Sequence, residues 1–381
     1  MLDGQFTLGV EEEFQIVNPE TRELRSYVSR ILEERDKTVL RERVRAEMHQ
    51  SMVETGTGIC KDIHDVRREL LELRTGLDSL ARKSGLRIIA ASTHPFSDWK
   101  TQEITPHERY NVLVEDLQDV ARGNLIFGLH VHVGIKDKET AIALANQVRY
   151  FLPHILALTT SSPFWIGRNT GLKSMRCQIF KRFPRTGIPG EFSSYGEFEN
   201  YVAMLVKTGC IDNAKKIWWD VRVHPFFDTV ELRIADMPTN IEHTIAIVAL
   251  VQALMLQLYL FYRRNMAWRN YSRALIEENK WRAVRYGIEG KLIDFGKQTE
   301  VPVKDLIREM LEVIDEAAGI LGTRDALKGI ERILNEGTSA DRQCAVWKKS
   351  GGDTKAVVDW LIEETMNGLP ASKTGAHAAA K

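Results

Sequence analysis

Residues 245–262 form an almost unbroken apolar run, about as long as a helix that crosses a bilayer, and few folds accommodate such a segment. Either lipid surrounds it or the protein does. Gln252 and Gln257 interrupt the run, Asn240 and Glu242 open it in the manner of a helix start, and no other stretch looks lipid-facing. The run is therefore expected to be a central helix buried by the rest of the chain, with no membrane partner. Self-association through it would explain the same pattern, and burial inside one subunit does so equally.

The remaining hydrophobic pattern supplies what buries it. Residues 7–17, TLGVEEEFQIV, read as a strand ending at the turn Asn18-Pro19. Residues 43–55 look extended, and Ile63, Val66, Leu70, Leu73, Leu77 and Leu80 then recur at helical spacing. Residues 86–92 and 127–135 are further strands, and 217–223 and 229–234 are expected to pair as a hairpin through HPFFD. Helical periodicity occupies 139–158, residues 161–189 are loop-like, and everything after Asn240 is expected to be helix. Strands first, with long helices between and after them, indicate an α+β fold: an antiparallel sheet with helices packed on one face. No repeat or linker cuts the chain, so one domain is expected over residues 1–366, helical from about 240, with a frayed tail at 367–381.

Charge and cysteine usage exclude several roles. The 52 basic and 52 acidic side chains cancel, so no global field draws the chain to nucleic acid or anionic lipid, and partners must be chosen by local sites. Cys60, Cys177, Cys210 and Cys344 lie far apart without a CxxC pair, and the chain opens into a strand with no signal peptide. A reducing cytoplasm, with each thiol packed as a buried apolar group, is the expectation. There is no GxxxxGK[ST] loop, no GxGxxG fingerprint and no GxSxG elbow, so any nucleotide has to be held by metal ions and arginines.

Three strands carry chemistry at a two-residue spacing, which puts both members of each pair on one sheet face. Glu11 and Glu13 point one way and Glu12 the other; two parallel carboxylates repel unless a cation sits between them, so a hard-metal site competes evenly with a solvent-facing acidic edge. His130 and His132 share a face in GLHVHVGI. Two histidines alone complete no zinc site and no HExxH helix accompanies them, so one is read as a metal ligand and the other as a contact to substrate or phosphate. Glu231 and Arg233 in TVELRIAD form the third pair, for which a cross-strand salt bridge is the competing explanation. Convergence of the three suggests a polar cleft on one sheet face. Glu54 joins as a further metal carboxylate. His94, before Pro95, either orients substrate or caps a loop. The basic segment with Arg168, Lys173, Arg176 and Arg182 offers phosphate or carboxylate contacts, or a solvated surface.

In order, LGVEEEF, QSMVET, STHPF, HERY, GLHVHVG, SSPFWIGRNTG with SMRCQIF, WWDVRVHP, TVELRIAD and RYGIEG resemble the motif series of the carboxylate-amine ligases related to bacterial type 2 glutamate-cysteine ligase. The likeness runs from about residue 6 to residue 366. It implies a glutamine-synthetase-like fold, with a curved antiparallel sheet holding Mg-ATP at one end of a funnel and the acid and amine at the other. By motif position it assigns Glu11, Glu13, Glu54, His130 and Glu231 to magnesium or manganese. The same motifs give Glu231 with Arg233 to phosphoryl transfer, with His130 and His132 interchangeable; Lys173, Arg176 and Arg182, from the chemistry of the basic segment, and His132 are expected at the nucleotide, with Arg176 also offsetting charge on the transferring group. The implied function is ATP-dependent amide formation through an acyl phosphate, with weak glutamate-cysteine ligase activity. A metal-dependent amidohydrolase and a silent nucleotide-binding protein are the alternatives on the same scaffold. Gln50 stands where some relatives place another acid, which leaves one metal ligand missing or replaced by water.

Overall fold

The computed structural model describes residues 5–36, 38 and 40–370. Its centre is an open seven-stranded sheet, entirely antiparallel, ordered β10-β11-β5-β1-β3-β2 with β4 also paired to β1. The strands are β1 (Leu8–Val17), β2 (Val44–Ala46), β3 (Met52–Gly56), β4 (Arg87–Ile89), β5 (Leu129–Gly134), β10 (Val221–Val223) and β11 (Thr229–Leu232). The intervening numbers belong to two-residue pairs, β6 (Phe164–Trp165) with β7 (Arg168–Asn169) and β8 (Thr186–Gly187) with β9 (Trp218–Trp219). β1 is central because it is long enough to pair with three neighbours at once. Its even-numbered residues Leu8, Val10, Phe14 and Ile16 are all buried on the helix side.

Helices Ile63–Lys83, Lys138–Val148 and Ile241–Arg263 cover that side. Asp62 caps the first by accepting from the His64 and Asp65 amides, and Asn240 caps the last by accepting from Glu242. The helix Ile241–Arg263 is long and apolar enough to span a membrane, yet 83% of its most apolar window is buried inside the molecule. One apolar cluster runs from Phe6, just before the first strand, to Leu334 near the end, so the strand-rich and helical portions share a core.

Glu12 is the one charged residue that β1 sends into this core. It is fully buried and paired with equally buried Arg74, whose guanidinium also donates to the Thr239 and Pro238 carbonyls and the Thr244 hydroxyl. The sheet register is thereby tied to two helices.

Several expectations change. The extended stretch 43–55 is two strands reversed at residues 47–51, because β2 must turn back to pair with β3. Pro153 at a helix N-terminus divides 139–158 into two helices. The region after Asn240 is not all helix: β12 (Lys291–Asp294) and β13 (Thr299–Pro302) form a small antiparallel sheet. The loop-like stretch 161–189 contains the helix Met175–Phe180. Cys60 and Cys177 are buried as expected, whereas Cys210 is exposed beyond the helix Tyr195–Lys207. Most of the tail at 367–381, residues 371–381, lies outside the described residues.

Candidate active site

The face of the sheet opposite the helices forms the floor of a cavity of about 570 Å³. Its position follows from register. Glu11 pairs with His130 and Glu13 with Glu54 across β1, while Glu231 pairs with His132, so all three two-residue patterns land on one face. The β10–β11 hairpin, carrying His224, Phe226 and Phe227, and the apolar side chains of Met48, Leu113, Ile126, Phe180, Phe183 and Trp218 line its walls.

Two ligand clusters occupy the floor. Glu11, His132 and Glu231 form one, Glu13, Glu47 and Glu54 the other, and within each the ligand atoms lie within 4.8 Å of one another. Adjacent same-face residues of a single strand therefore serve different clusters. His132 accepts or donates at Nδ1 to the Thr229 hydroxyl at 3.1 Å, which leaves its Nε2 buried, without a hydrogen-bond partner and 3.7 Å from Glu11 Oε1. His130 instead places Nδ1 3.0 Å from Glu11 Oε2. It orients the carboxylate that His132 faces.

The electrostatics of the clusters differ. Burial works against ionised Glu11, but the His130 hydrogen bond and the facing His132 imidazole outweigh it and hold its carboxyl well below the usual range. Burial likewise opposes ionised Glu231, and the Arg233 and Arg222 guanidiniums more than compensate. Arg222 donates to Glu231 Oε2 at 2.7 Å and Arg233 bonds the other oxygen. In the second cluster the balance reverses. Burial and the neighbouring Glu47 push Glu13 up to about 8, despite Arg176, the Gly128 amide and Arg233. Burial, then Glu11, Glu47 and Glu13, drive Glu54 well above the carboxylate range, and burial raises Glu47 against the pull of Arg109. Three crowded, largely desolvated carboxylates with too little positive charge, beside a cluster with an orphaned imidazole nitrogen, are a donor set that fits hard divalent cations.

Of the basic segment, only Arg176 reaches the cavity. Ser174 caps its helix by accepting from the Cys177 amide and donates to buried Asp236, which also receives the Ser162 hydroxyl and the Ser161 amide. Arg176 then donates to the carbonyls of Ile234 and Arg233 and crosses above Gly128, where any side chain would collide with it. Lys173 is spent on Asp341 at 2.5 Å, Arg182 donates to the carbonyls of Ile179 and Gly123, and Arg168 is exposed on β7; none of the three lines the cavity. These placements remove Lys173 and Arg182 from the expected nucleotide contacts, because their donors are already committed elsewhere. His94 is buried and accepts from the Phe96 and Ser97 amides, a loop cap outside the cavity.

A carboxylate that the spacing did not reveal joins the second cluster. Gln50 donates to Glu103, away from the floor, and Glu47, at the turn out of β2, supplies the third carboxylate of the second cluster. Alternation could not reveal it, since the chain reverses between Glu47 and Glu54. Arg222 and His224 were equally silent: the first is anchored on the carbonyls of Lys215 and Ile217, the second on the hairpin.

Comparison with known proteins gives one consistent picture. The sequence profile of Glutamate-cysteine ligase family 2 (GCS2) matches residues 7–359. A protein of Sorangium cellulosum, provisionally named glutamate–cysteine ligase 2, is 67% identical over 370 residues, covering 97% of this chain and 98% of its own. One of the same provisional name from Solibacter usitatus is 54% identical, covering 95% and 94%. Among solved structures, the glutamate–cysteine ligase of Francisella tularensis, in complex with AMP, superposes with a TM-score of 0.67 at 13% identity, covering 96% of this chain and 90% of its own. A bifunctional glutathione synthetase of Pasteurella multocida gives 0.71 at 14% identity; this chain is matched over 96% but spans only 52% of that protein. These two likenesses establish the shared fold.

Proposed function

This chain belongs to glutamate–cysteine ligase family 2 and is an acid–amine ligase; we propose that it couples ATP to amide formation through an acyl phosphate, with weak glutamate–cysteine ligase activity among its reactions. The observation that supports this most is on β1, where Glu11 and Glu13 each anchor a separate ligand cluster while the Arg233 guanidinium acts electrostatically on both. Two-metal sites also serve hydrolases, so it is the arginine between the clusters, reaching carboxylates of both, that suits a phosphoryl group carrying charge at both ends.

A carboxylate is a poor electrophile. Transfer of the γ-phosphoryl group of ATP to a carboxylate oxygen breaks the bond to the β-phosphate, releases ADP and leaves an acyl phosphate. Attack of the amine nitrogen on its carbonyl carbon then expels phosphate, and the amine gives up a proton as the amide forms. In this reading Glu11, His132 and Glu231 would hold one divalent ion and Glu13, Glu47 and Glu54 a second, and magnesium or manganese held there would neutralise charge on phosphate oxygens. Arg233 offsets charge on the transferring group, and Arg176, fixed by two carbonyls, faces the same space. His130 keeps the Glu11 carboxylate turned toward His132.

A cytoplasmic setting, small-molecule acid and amine partners and a single catalytic domain over residues 1–366 belong to the same proposal. The test is ADP and phosphate release from Mg-ATP across paired acids and amines, beginning with glutamate and cysteine. Release that requires both co-substrates is expected. Amide cleavage without ATP, or nucleotide binding with no turnover for any pair, counts against the reading.

A further inference from the structure

Asp236 lies just beyond β11, fully buried, and does not line the cavity. Its backbone forms a bridge with Gly128, whose amide donates to the Glu13 carboxylate at 2.6 Å. One residue therefore separates the main chain of Asp236 from the second ligand cluster. The carboxylate is fully engaged. Oδ1 accepts the Ser174 hydroxyl at 2.8 Å, and Oδ2 accepts the Ser162 hydroxyl at 2.7 Å and the Ser161 amide at 3.0 Å. Burial raises this carboxyl above its usual range, and Arg176 leads the groups that oppose the rise.

Both ends of Arg176 lead back to this one group. At the main chain, the Arg176 amide donates to Ser162 Oγ at 3.1 Å, and that hydroxyl donates onward to Asp236. At the tip, Arg176 Nη1 stands 4.0 Å from Asp236 Oδ1, an ion pair whose side chains are 4% and 0% exposed. The tip also donates to the Ile234 and Arg233 carbonyls, in the segment that leads into Asp236. Carbonyls fix direction but carry no net charge, and so little water reaches this cation that a carboxylate has to compensate it. A helix cap would need less. Ser174 already caps the helix Met175–Phe180 by accepting from Cys177, and a neutral acceptor would satisfy Ser161 and Ser162. Arg176 is the cation that the charge faces. Its Nε is buried without a hydrogen-bond partner among the described residues, and its guanidinium acts electrostatically on Glu13.

We infer that Asp236 is the positioning residue for Arg176: it holds the main chain through Ser162 and the guanidinium through its charge, and so sets where that cation meets the transferring phosphoryl group. This role rests on the ligase reading above and adds to it a residue outside the cavity.

The test is a double-mutant cycle with Arg176→Met, read both as kcat for ADP release and as the urea midpoint of unfolding. Asp236→Asn keeps the shape of the side chain. Its amide oxygen can accept from Ser161 and Ser162 and its NH2 group can donate to the Ser174 hydroxyl, so only the charge is lost. With Arg176 present, kcat is expected to fall about tenfold; with Arg176→Met already made, the further change stays within about twofold. The midpoint should fall in either single variant, and in the double variant by less than the two losses together, because no unpaired charge remains. Unchanged kcat in Asp236→Asn overturns the role. An equal fold loss with and without Arg176 does so too, since a purely structural residue acts in both backgrounds. Ser162→Ala cuts the link to the main chain and carries the same cycle if Asp236→Asn does not fold; an equal loss in both backgrounds overturns the role there as well. If the wild type releases no ADP with any acid and amine, the ligase reading fails. The midpoints, which need no turnover, then still decide the pairing, and additive losses overturn it.

Discussion

Glu13 and Glu54 stand directly opposite each other across the β1–β3 ladder, where two like charges ordinarily destabilise a sheet. Glu47 closes on the same point, and all three carboxyls are raised, first by burial. In the absence of a cation, folding therefore favours their protonated forms.

A pH dependence follows from that sign. Glu13 has an ordinary value of 4.5 and a folded value of about 8, so its contribution to stability is complete below the first and lost as pH rises through the second. Metal ions compete with those protons. The increment in Tm produced by magnesium should grow between about pH 5 and pH 8, and magnesium binding should release protons in that window. Melting curves with and without magnesium check this; an increment that stays flat with pH contradicts it.

Glu13→Gln keeps the size of the side chain and can still accept the Gly128 amide, which reaches the carboxylate at 2.6 Å. It also removes one of three crowded charges. Turnover should fall by about a hundredfold or more, with Tm unchanged or raised. Glu231→Gln should lose turnover to the same extent and Tm as well, because Arg222 and Arg233 lose their shared carboxylate. Steady-state rates and thermal denaturation distinguish the two patterns.

At Gly128, an added Cβ would stand 2.5 Å from Arg176 Nη2. Gly128→Ala should displace that guanidinium and lower kcat about tenfold or more, with little change in circular dichroism. Wild-type kcat would show that Arg176 takes no part.

The Glu12–Arg74 pair makes a prediction about stability alone, since both side chains are fully buried on the helix side of the sheet. Arg74→Met leaves a buried carboxylate unpaired and should cost about 3–5 kcal/mol in denaturant unfolding. Adding Glu12→Leu should recover part of that loss. A double variant no more stable than Arg74→Met would show that the pair's other hydrogen bonds matter more.

Thiol reactivity tests the burial pattern. Exposed Cys210 should alkylate rapidly at neutral pH, whereas Cys60 and Cys177, buried and each pushed up to about 11 mainly by desolvation, should react only on unfolding. Mass mapping of labelled peptides reads this directly.

The sequence by itself determined the parts of the site that depend on one strand at a time. Alternation is a local property of extended backbone, so Glu11 with Glu13, His130 with His132 and Glu231 with Arg233 could each be placed on a common face, and Glu12 on the other, before any partner was known. The apolar run up to Tyr262 likewise pointed to a central buried helix, because Gln252, Gln257 and the polar opening at Asn240 and Glu242 suit a protein interior better than lipid. Which strands lie beside which was decided only by the tertiary structure. Pairing β1 with both β3 and β5 split Glu11 and Glu13 between two clusters and set His132, not His130, within 4.8 Å of the Glu11 and Glu231 carboxylates. The reversal out of β2 delivered Glu47 in place of Gln50, and the competition of Asp341 and backbone carbonyls withdrew Lys173 and Arg182 from the cavity. Spacing along a chain fixes direction within an element. Distance between elements comes from sheet register and from which partner reaches a charged group first, and neither is written in any single segment.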